Sequence, residues 1–165
     1  SMSFDTYLKL TDIPGEATAA NHVGEIEIYS FSWGASNPTT VGSGKTGLSA
    51  GKVSISSFNI MKKTEKSSPK LFSHCCNGQH IAEGLVTMRK ATGESGGQKP
   101  FLTYKFTDMM VESIQWSGSS GGDDTPTESC SFAFAKCEIT YFSQDAKGAM
   151  AKAGEASWDL TKVTK

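Results

Sequence analysis

Apolar and polar residues alternate over short runs along most of this chain, which is the period-two pattern of half-buried β-strands. Clusters of glycine, proline, asparagine and aspartate separate the runs, as at Pro14-Gly15, and are typical of turns. The runs are rich in aromatic and β-branched residues, which favour strands. Strands are therefore predicted over residues 4–10, 24–33, 53–55, 58–60, 85–90, 101–107, 109–116 and 130–141.

Several of these strands change phase partway along their length. In the second strand, Ile26 and Ile28 share one face. Tyr29, Phe31 and Trp33 share the opposite face, so the phase changes between residues 28 and 29. Similar changes occur between residues 55 and 58 and between residues 134 and 135.

These phase changes indicate the shape of the sheet. A strand with a period of two can change faces only at a bulge or bend, or where both faces are buried. Strands that change faces partway are typical of the corners of barrels and sandwiches. We therefore predict a mainly β fold, a β-barrel of two antiparallel sheets with one flanking α-helix and a long extended loop.

The single helix is predicted from a different pattern. Ser68 is predicted to cap its N-terminus, Pro69 suits the first helical position, and Gly78 is predicted to end it. Between them, four apolar residues recur at the spacing of one helical stripe. This predicted core face consists of Leu71, Phe72, Cys75 and Cys76.

Residues 34–52 fit neither pattern, since Val41 and Leu48 are their only sizeable apolar residues. A segment this long without internal structure is usually functional or disordered. It is long enough to reach a neighbouring molecule. Glycine-rich connections are also predicted at 93–97 and 117–124.

Composition and charge limit the class of protein. The 165 residues, 37% of them hydrophobic, suit one domain over residues 1–165. Sixteen basic and 17 acidic residues give a net charge of −1, and Arg89 is the only arginine. A nucleic-acid partner is therefore not expected, because a phosphate-binding surface needs clustered cations.

The N-terminus shows no basic start followed by an apolar core, so no secretory signal is predicted. Ser1 before Met2 is expected to be a residue left by cloning. No run approaches the roughly 20 apolar residues of a membrane-spanning helix. Because no secretory signal is predicted, the four cysteines are expected to be reduced thiols of a soluble cytoplasmic product. A last strand is predicted near Ser157 within the tail of residues 146–165.

The stretch VGSGKT at 41–46 imitates a phosphate-binding loop. The full pattern requires a glycine where this chain has Thr39, and a helix immediately afterwards. Residues 50–55 have the pattern of a strand instead. Nucleotide binding is therefore not predicted.

Cysteine and histidine residues cluster near the predicted helix, as His74, Cys75, Cys76 and His80. Cysteines that are adjacent in a helix diverge, and no C-x-x-C pair is present, so no metal site and no cofactor are predicted. No spacing ties a base to a nucleophile, and no catalytic residue is predicted.

Charged clusters offer little further chemistry. Asp123-Asp124 lies in a glycine-rich loop that would leave both acids solvated. A short basic patch is predicted either to be a solvated surface or to contact an acidic neighbour. It consists of Lys62, Lys63, Lys66 and Lys70.

Four motifs, in order along nearly the whole chain, resemble the haemolysin-coregulated protein (Hcp) family, the tube subunits of bacterial type VI secretion. The first is FDTYLKL with IPGEA, at 4–10 and 13–17. The others are IYSFSWG at 28–34, KSSPKLF with GQHI at 66–72 and 78–81, and VESI at 111–114 continuing to EITY at 138–141.

The resemblance implies a barrel subunit that closes into a homo-hexameric ring, with rings stacked into a hollow tube. It implies a structural protein without enzymatic activity, cytoplasmic before firing and then secreted without a signal peptide. Its implied partners are the sheath, the baseplate, the tip-spike proteins and effectors carried in the lumen. The segment 34–52 would be the inter-subunit loop, with Asn37, Pro38, Val41 and Leu48.

One consequence of alternation bears on this resemblance. If Phe31 and Trp33 face the core, then Ser30 and Ser32 face away from it, onto the expected lumen. Two alternatives stay open. One is a small cysteine-dependent hydrolase or toxin-like enzyme using Cys76 with His74 or His80, and the other is a monomeric ligand-binding barrel.

Overall fold

Twelve strands and one helix form the described residues 4–42, 47–91, 97–122 and 124–162 of the computed structural model. The strands are β1 (Asp5–Leu10), β2 (Ile26–Glu27), β3 (Ser30–Ser32), β4 (Ala35–Ser36), β5 (Thr40–Val41), β6 (Leu48–Ser49), β7 (Ser54–Ile55), β8 (Phe58–Lys63), β9 (Ile81–Ala91), β10 (Gln98–Ser117), β11 (Thr127–Gln144) and β12 (Met150–Asp159). The helix α1 covers Ser68–Asn77.

Some sequence-based predictions fall outside the described residues. These are Ser1, Asp123, most of the loop-like stretch 41–46 and most of the connection 93–97.

Eight strands form one antiparallel sheet in the order β2-β1-β9-β10-β11-β8-β3, with β12 added beside β11. Its two terminal strands, β2 and β3, belong to one continuous run of chain. The amide of Ile28 donates to the Thr6 carbonyl at 3.2 Å, and the amide of Tyr29 donates to the Met61 carbonyl at 2.8 Å. The run therefore crosses from one end of the curled sheet to the other between residues 28 and 29, where the phase change was predicted.

The predicted mainly β class with a single helix is confirmed for the described residues. The two layers of the barrel are parts of one curled sheet rather than two separate sheets. The run through residues 26–32 joins them, because it pairs with β1 near one end of the sheet and with β8 near the other. Two further sheets have only two strands each, β4 with β7 and β5 with β6.

Aromatic rings fill the interior of the curled sheet. Phe58, Phe106 and Phe132 are completely buried. The Phe106 ring centroid lies 4.7 Å from that of Phe58, 4.6 Å from that of Phe134 and 5.0 Å from that of Trp33. Rings at these separations pack in tilted and edge-to-face contacts. These aromatic side chains therefore form the centre of the core.

The prediction of two strands at 101–107 and 109–116 is wrong, because β10 is a single strand. Asp108 lies within it with a φ of +55°, and the register with β11 is the same on both sides, with Thr107 opposite Lys136 and Met109 opposite Phe134. Pairing with β11 therefore continues in one register through Asp108. The strand predicted near Ser157 is likewise part of the longer β12.

The prediction that residues 34–52 lack internal structure is also wrong. Strands β4 and β7 form the base of a narrow ribbon, and β5 and β6 form its outer part. Ser56 closes the base by donating its amide to the Gly34 carbonyl at 2.9 Å. We call residues 34–56 the arm.

Helix α1 begins one residue earlier than predicted. Ser67, not Ser68, is the capping residue, and its side chain makes no capping hydrogen bond. The predicted end is correct, since Gly78 adopts a φ of 70° and donates its amide to the His74 carbonyl at 3.0 Å. A left-handed conformation at this position favours glycine.

The predicted core face of α1 is too wide. Leu71 is completely buried and Cys75 is partly buried against the core, but Phe72 is 49% exposed and Cys76 is exposed. The helix is turned so that Ser68, Leu71 and Cys75 share the buried side, at i, i+3 and i+7. The hydroxyl of Ser68 sets this rotation because it bonds to a buried ion pair beneath the helix.

That ion pair joins Lys62 of β8 to Glu128 directly opposite it on β11, and both side chains are completely buried. The Lys62 ammonium also donates to the Ser68 hydroxyl at 3.0 Å, and the Ser68 hydroxyl donates to the Glu128 carboxylate at 3.0 Å. The Trp116 indole donates to the other carboxylate oxygen at 2.7 Å. The pair therefore fastens the start of α1 to the sheet.

The predicted surface patch of lysines is thus wrong for Lys62. Lys63, Lys66 and Lys70 are exposed as expected, and the Lys70 ammonium donates to the Asp12 carbonyl at 2.9 Å. The sequence alone does not distinguish the buried Lys62 from its exposed lysine neighbours, because its burial depends on Glu128, which lies 66 residues later in the chain.

We predict that Lys62→Met destabilises the fold strongly, because it leaves the buried Glu128 carboxylate without a counter-charge. The free energy of unfolding, measured in urea, should fall by about 3–5 kcal/mol. The matched control Lys63→Met, at the exposed neighbouring position, should change it by less than about 0.5 kcal/mol. Lys62→Met combined with Glu128→Gln should recover part of the loss, and equal effects of the two single variants would contradict the prediction.

Candidate assembly and cargo surfaces

Four neighbouring strands present a polar, uncharged face on the side of the sheet away from the core. Strands β3, β8, β11 and β10 lie side by side here, and alternation sends every second residue outward. One row across the strands is Ser32, Asn59, Ser131 and Ser113. The second row is Ser30, Met61, Ser129 and Gln115. We call these eight residues the polar face.

The polar face surrounds a shallow depression of about 310 Å³. Ser30 and Ser32, which alternation directs away from the core, are both exposed within it. Met61 is 43% exposed and is the only apolar side chain of the two rows. Hydroxyl and amide groups can donate and accept hydrogen bonds, so this surface offers polar contacts without a net charge.

A carboxylate borders the polar face. Pairing between β10 and β11 is irregular between Val111 and Ser113, so Glu112 occupies the extra position of a bulge. Its carboxylate accepts a short hydrogen bond from the Ser57 hydroxyl and a second from Ser131 at 3.3 Å. These contacts hold the acidic group at the margin of the two rows.

The arm presents a second surface. Val41 and Leu48 stand opposite each other on β5 and β6, with 80% and 74% of their surface exposed. The Gly51 amide donates to the Asn37 side chain at 2.8 Å, and Gly51 lies so close to Pro38 that a Cβ there would approach the Pro38 carbonyl oxygen to 2.6 Å. Asn37 and Pro38 therefore shape the ribbon, and the apolar pair lies on its outer part.

A third surface continues the core side of the sheet past the barrel. Beyond the buried Cys137, the same side carries Ile139 and Tyr141 on β11 and Trp158 on β12. These three, which we call the terminal stripe, are 37%, 44% and 41% exposed. Among the described strands, β11 alone pairs with β12, so the far edge of β12 is open.

The residues of the hydrolase alternative do not form a linked set in the described part of the chain. His74 bonds through Nδ1 to the Lys70 carbonyl at 2.8 Å, and His80 bonds through Nδ1 to Asp108 at 2.6 Å. No hydrogen bond there connects Cys76 to either histidine. The described residues also contain no group of three or more metal-binding side chains.

Two thiols are buried in the sheet rather than activated. Burial, with a smaller contribution from the nearby Glu128 carboxylate, raises the pKa of Cys130 to about 12. Burial also raises the pKa of Cys137, although a contact with the Trp158 carbonyl opposes the shift. Both cysteines pack as small apolar side chains.

Sequence reasoning found two residues of the polar face and missed the other six. Alternation within the predicted strand 130–141 places Cys130 and Phe132 in the core and so could have identified Ser131. Grouping residues from four strands requires the register between strands, which no local pattern contains.

Comparison with known proteins gives a consistent result. The family model described as type VI secretion system effector, Hcp, matches residues 7–141. Protein hcp1 of Pseudomonas aeruginosa is 34% identical over 148 residues, which cover 90% of this chain and 89% of that protein.

Solved structures share the fold. A structure of a type six secretion system protein superposes with a TM-score of 0.87 at 36% identity, covering 96% of this chain and 97% of that one. The crystal structure of Hcp1 from Salmonella typhimurium superposes with a TM-score of 0.76 at 29% identity, covering 97% of both chains.

We predict that iodoacetamide labels Cys76 of the folded protein and leaves Cys130 and Cys137 unmodified. With a pKa of about 12, Cys130 has only about one thiolate per ten thousand molecules at pH 8. The pKa of Cys130 in the folded protein is above the ordinary thiol value of 9.0. The buried neutral thiol therefore stabilises the folded state fully below pH 9. This contribution to the free energy of unfolding declines as the pH rises from 9 towards 12.

Mass spectrometry of peptides after labelling checks this prediction, and protein unfolded in guanidinium, in which all four thiols react, is the control. Labelling of folded Cys130 as fast as Cys76 would contradict it. A Cys76 that reacts far faster than a small free thiol would favour the hydrolase alternative.

Proposed function

Because this chain belongs to the Hcp family of type VI secretion system proteins, we propose that it is the tube subunit of such a system. Six copies form a ring, and rings stack into a hollow tube that is exported with effector proteins in its lumen. The whole of residues 1–165 acts as a single domain in this role.

The observation that carries the proposal is the uncovered terminal stripe beside the open edge of β12. Apolar residues that continue a core face are normally covered, and an open strand edge invites pairing with another chain. A contact between two different surfaces of identical chains repeats head to tail and closes into a ring when the rotation allows it. The exposed apolar pair of the arm supports a further contact between copies.

The polar face supports the assignment of a lumen wall. In the proposed ring, Ser30 and Ser32 face the bore together with the other six residues of the polar face. Small hydroxyl groups leave a wide passage, and the absence of charge from these two rows lets cargo of either sign pass. Effectors would be retained there by hydrogen bonds and by contact with Met61.

The proposed role is structural rather than catalytic. The protein waits in the cytoplasm, contacts the sheath, baseplate and tip-spike proteins, and leaves the cell by a route that needs no signal peptide. In the described residues, the helix is neither long nor apolar enough to cross a membrane.

The ligand-binding alternative has little structural support. Rings of Phe58, Phe106 and Phe132 occupy the interior, where such a barrel would hold its ligand. The hydrolase alternative would need Cys76 to act with a histidine to which no described hydrogen bond connects it.

We predict that the protein in solution has the mass of a hexamer. Six chains of 17.6 kDa amount to about 106 kDa. Light scattering on a sizing column measures this mass, and negative-stain images should show rings with an open centre. A monomer of 17.6 kDa that persists at all concentrations would leave the fold intact and overturn the tube assignment.

We predict that Ser32→Gln weakens retention of cargo and leaves the ring intact, because the longer side chain projects into the bore without disturbing the core. Co-purification of a tagged effector from the source bacterium measures retention, and light scattering checks the ring. The matched control is Ser143→Gln, at an exposed position outside the polar face. Equal recovery of effector with both variants would contradict the prediction.

A further inference from the structure

The carboxylate at the margin of the polar face is bonded through one of its two oxygens. Oε1 of Glu112 accepts both hydrogen bonds, one from the Ser57 hydroxyl and one from the Ser131 hydroxyl at 3.3 Å. In the described part of the chain no hydrogen bond reaches Oε2, and Glu112 is exposed. Because a carboxylate has about four acceptor positions, about half of its accepting capacity is open to a ligand.

A second acceptor beside this carboxylate is oriented by the same serine. The Asn59 amide donates through Nδ2 to the Ser57 carbonyl at 3.2 Å, so its Oδ1 is directed away from that carbonyl. Oδ1 accepts no hydrogen bond from any described residue. Asn59 stands opposite Ser131, which bonds to Glu112. We call Oε2 of Glu112 and Oδ1 of Asn59 the acceptor pair.

The charge of Glu112 has no counter-charge within the described residues. None of their ion pairs includes it. On β8 and β11, Lys63 and Lys136 lie six and five residues beyond the two serine donors. At about 3.3 Å per residue they are roughly 20 and 16 Å away, farther than the screening length of about 8 Å. Lys52 of the arm is exposed and makes no ion pair with a described residue.

Two acceptors with one negative charge suit a ligand that has several donors and one positive charge. A guanidinium group has five N–H donors in a planar fork and no acceptor, so it can bond to both oxygens at once. An ammonium group is a point charge and spans two separated oxygens less well. A calcium ion requires about six to eight oxygen ligands, which a single exposed carboxylate and its neighbours do not supply.

We propose that Glu112 and Asn59 bind an arginine side chain of the exported cargo. The guanidinium group donates to the acceptor pair, and the aliphatic part of the side chain packs against Met61, which is 43% exposed and lies two residues beyond Asn59 on the same side of β8. Ser57 is a positioning residue, because it orients both acceptors. The two neutral rows let cargo pass, and their acidic margin selects what is retained. This inference rests on the proposed function and names the chemical class that the polar face selects.

A pair of blocked pentapeptides tests the binding directly. One has arginine at its centre, and the other has citrulline, which has a similar shape without the charge. NMR of the full chain with ¹³C-methyl methionine follows the Met61 methyl signal as each peptide is added up to millimolar concentration. The arginine peptide should bind about tenfold more tightly at low salt, because hydrogen bonds to an ionised pair are the stronger ones. The difference should shrink as the salt concentration rises.

Matched variants assign the effect to the acceptor pair. Glu112→Gln should abolish the preference for arginine over citrulline. Asp12→Asn is the control, because it removes the same charge from an exposed turn whose φ of 63° asparagine tolerates. Asn59→Leu should weaken the arginine peptide about threefold and leave a lysine peptide unchanged, since only the fork uses both oxygens. Ser57→Ala should weaken the arginine peptide while the charge of Glu112 is kept. Circular dichroism and light scattering check folding and assembly.

The outcomes separate this inference from the proposed function. Equal binding of the arginine and citrulline peptides, or equal effects of Glu112→Gln and Asp12→Asn, would overturn the binding site and leave the tube assignment to the ring measurement. Arginine-selective binding by a persistent monomer would support the acceptor pair and overturn the tube assignment.

Retention of a tagged effector distinguishes cargo from a free small cation as the source of the guanidinium or ammonium group. Rings of Glu112→Gln should retain less effector than rings of Asp12→Asn. Equal retention by the two variants, with peptide selectivity lost only in Glu112→Gln, would overturn the assignment of the ligand to cargo.

Discussion

The fold depends on the run of residues 26–32, which is hydrogen-bonded to both ends of one sheet. Its first part pairs with β1 and its last part with β8, so eight strands close around the aromatic core. The change of partner uses two exposed residues in succession, Tyr29 and Ser30, and moves the inward positions from Ile28 to Phe31. Every other feature follows from this closure, because only a curled sheet has an inner side that Phe58 and Phe106 can fill.

Part of this architecture could be predicted from local sequence. The phase change between residues 28 and 29 is visible in the apolar pattern, and Pro69 and Gly78 mark the helix closely. Two of the errors concern features that a distant partner decides. Lys62 is buried because Glu128 stands opposite it on β11, and the same pair turns the helix so that Phe72 and Cys76 are exposed. Hydropathy treats lysine and cysteine by type, so it could not foresee either result.

The candidate surfaces were predictable to a similar degree. Alternation along β3 is sufficient to send Ser30 and Ser32 outward once Phe31 faces the core. The rest of the polar face comes from β8, β10 and β11, which are neighbours only through pairings that span many residues of sequence. The ribbon within the arm escaped prediction because its strands have two residues each, too few for a period to be recognised.

Alternation also separates the inward-facing side chains of the sheet, which form the core, from the outward-facing ones, which form its surface. On β11, Cys130 and Phe132 pack inward while Ser129 and Ser131 face outward, so an outward substitution leaves the core contacts in place. The buried ion pair lies at the end of the same strands and holds the helix on the inner side. A protein built in this way can keep one rigid barrel while the residues of its polar face vary, because stability and surface chemistry reside in alternate residues of the same strands.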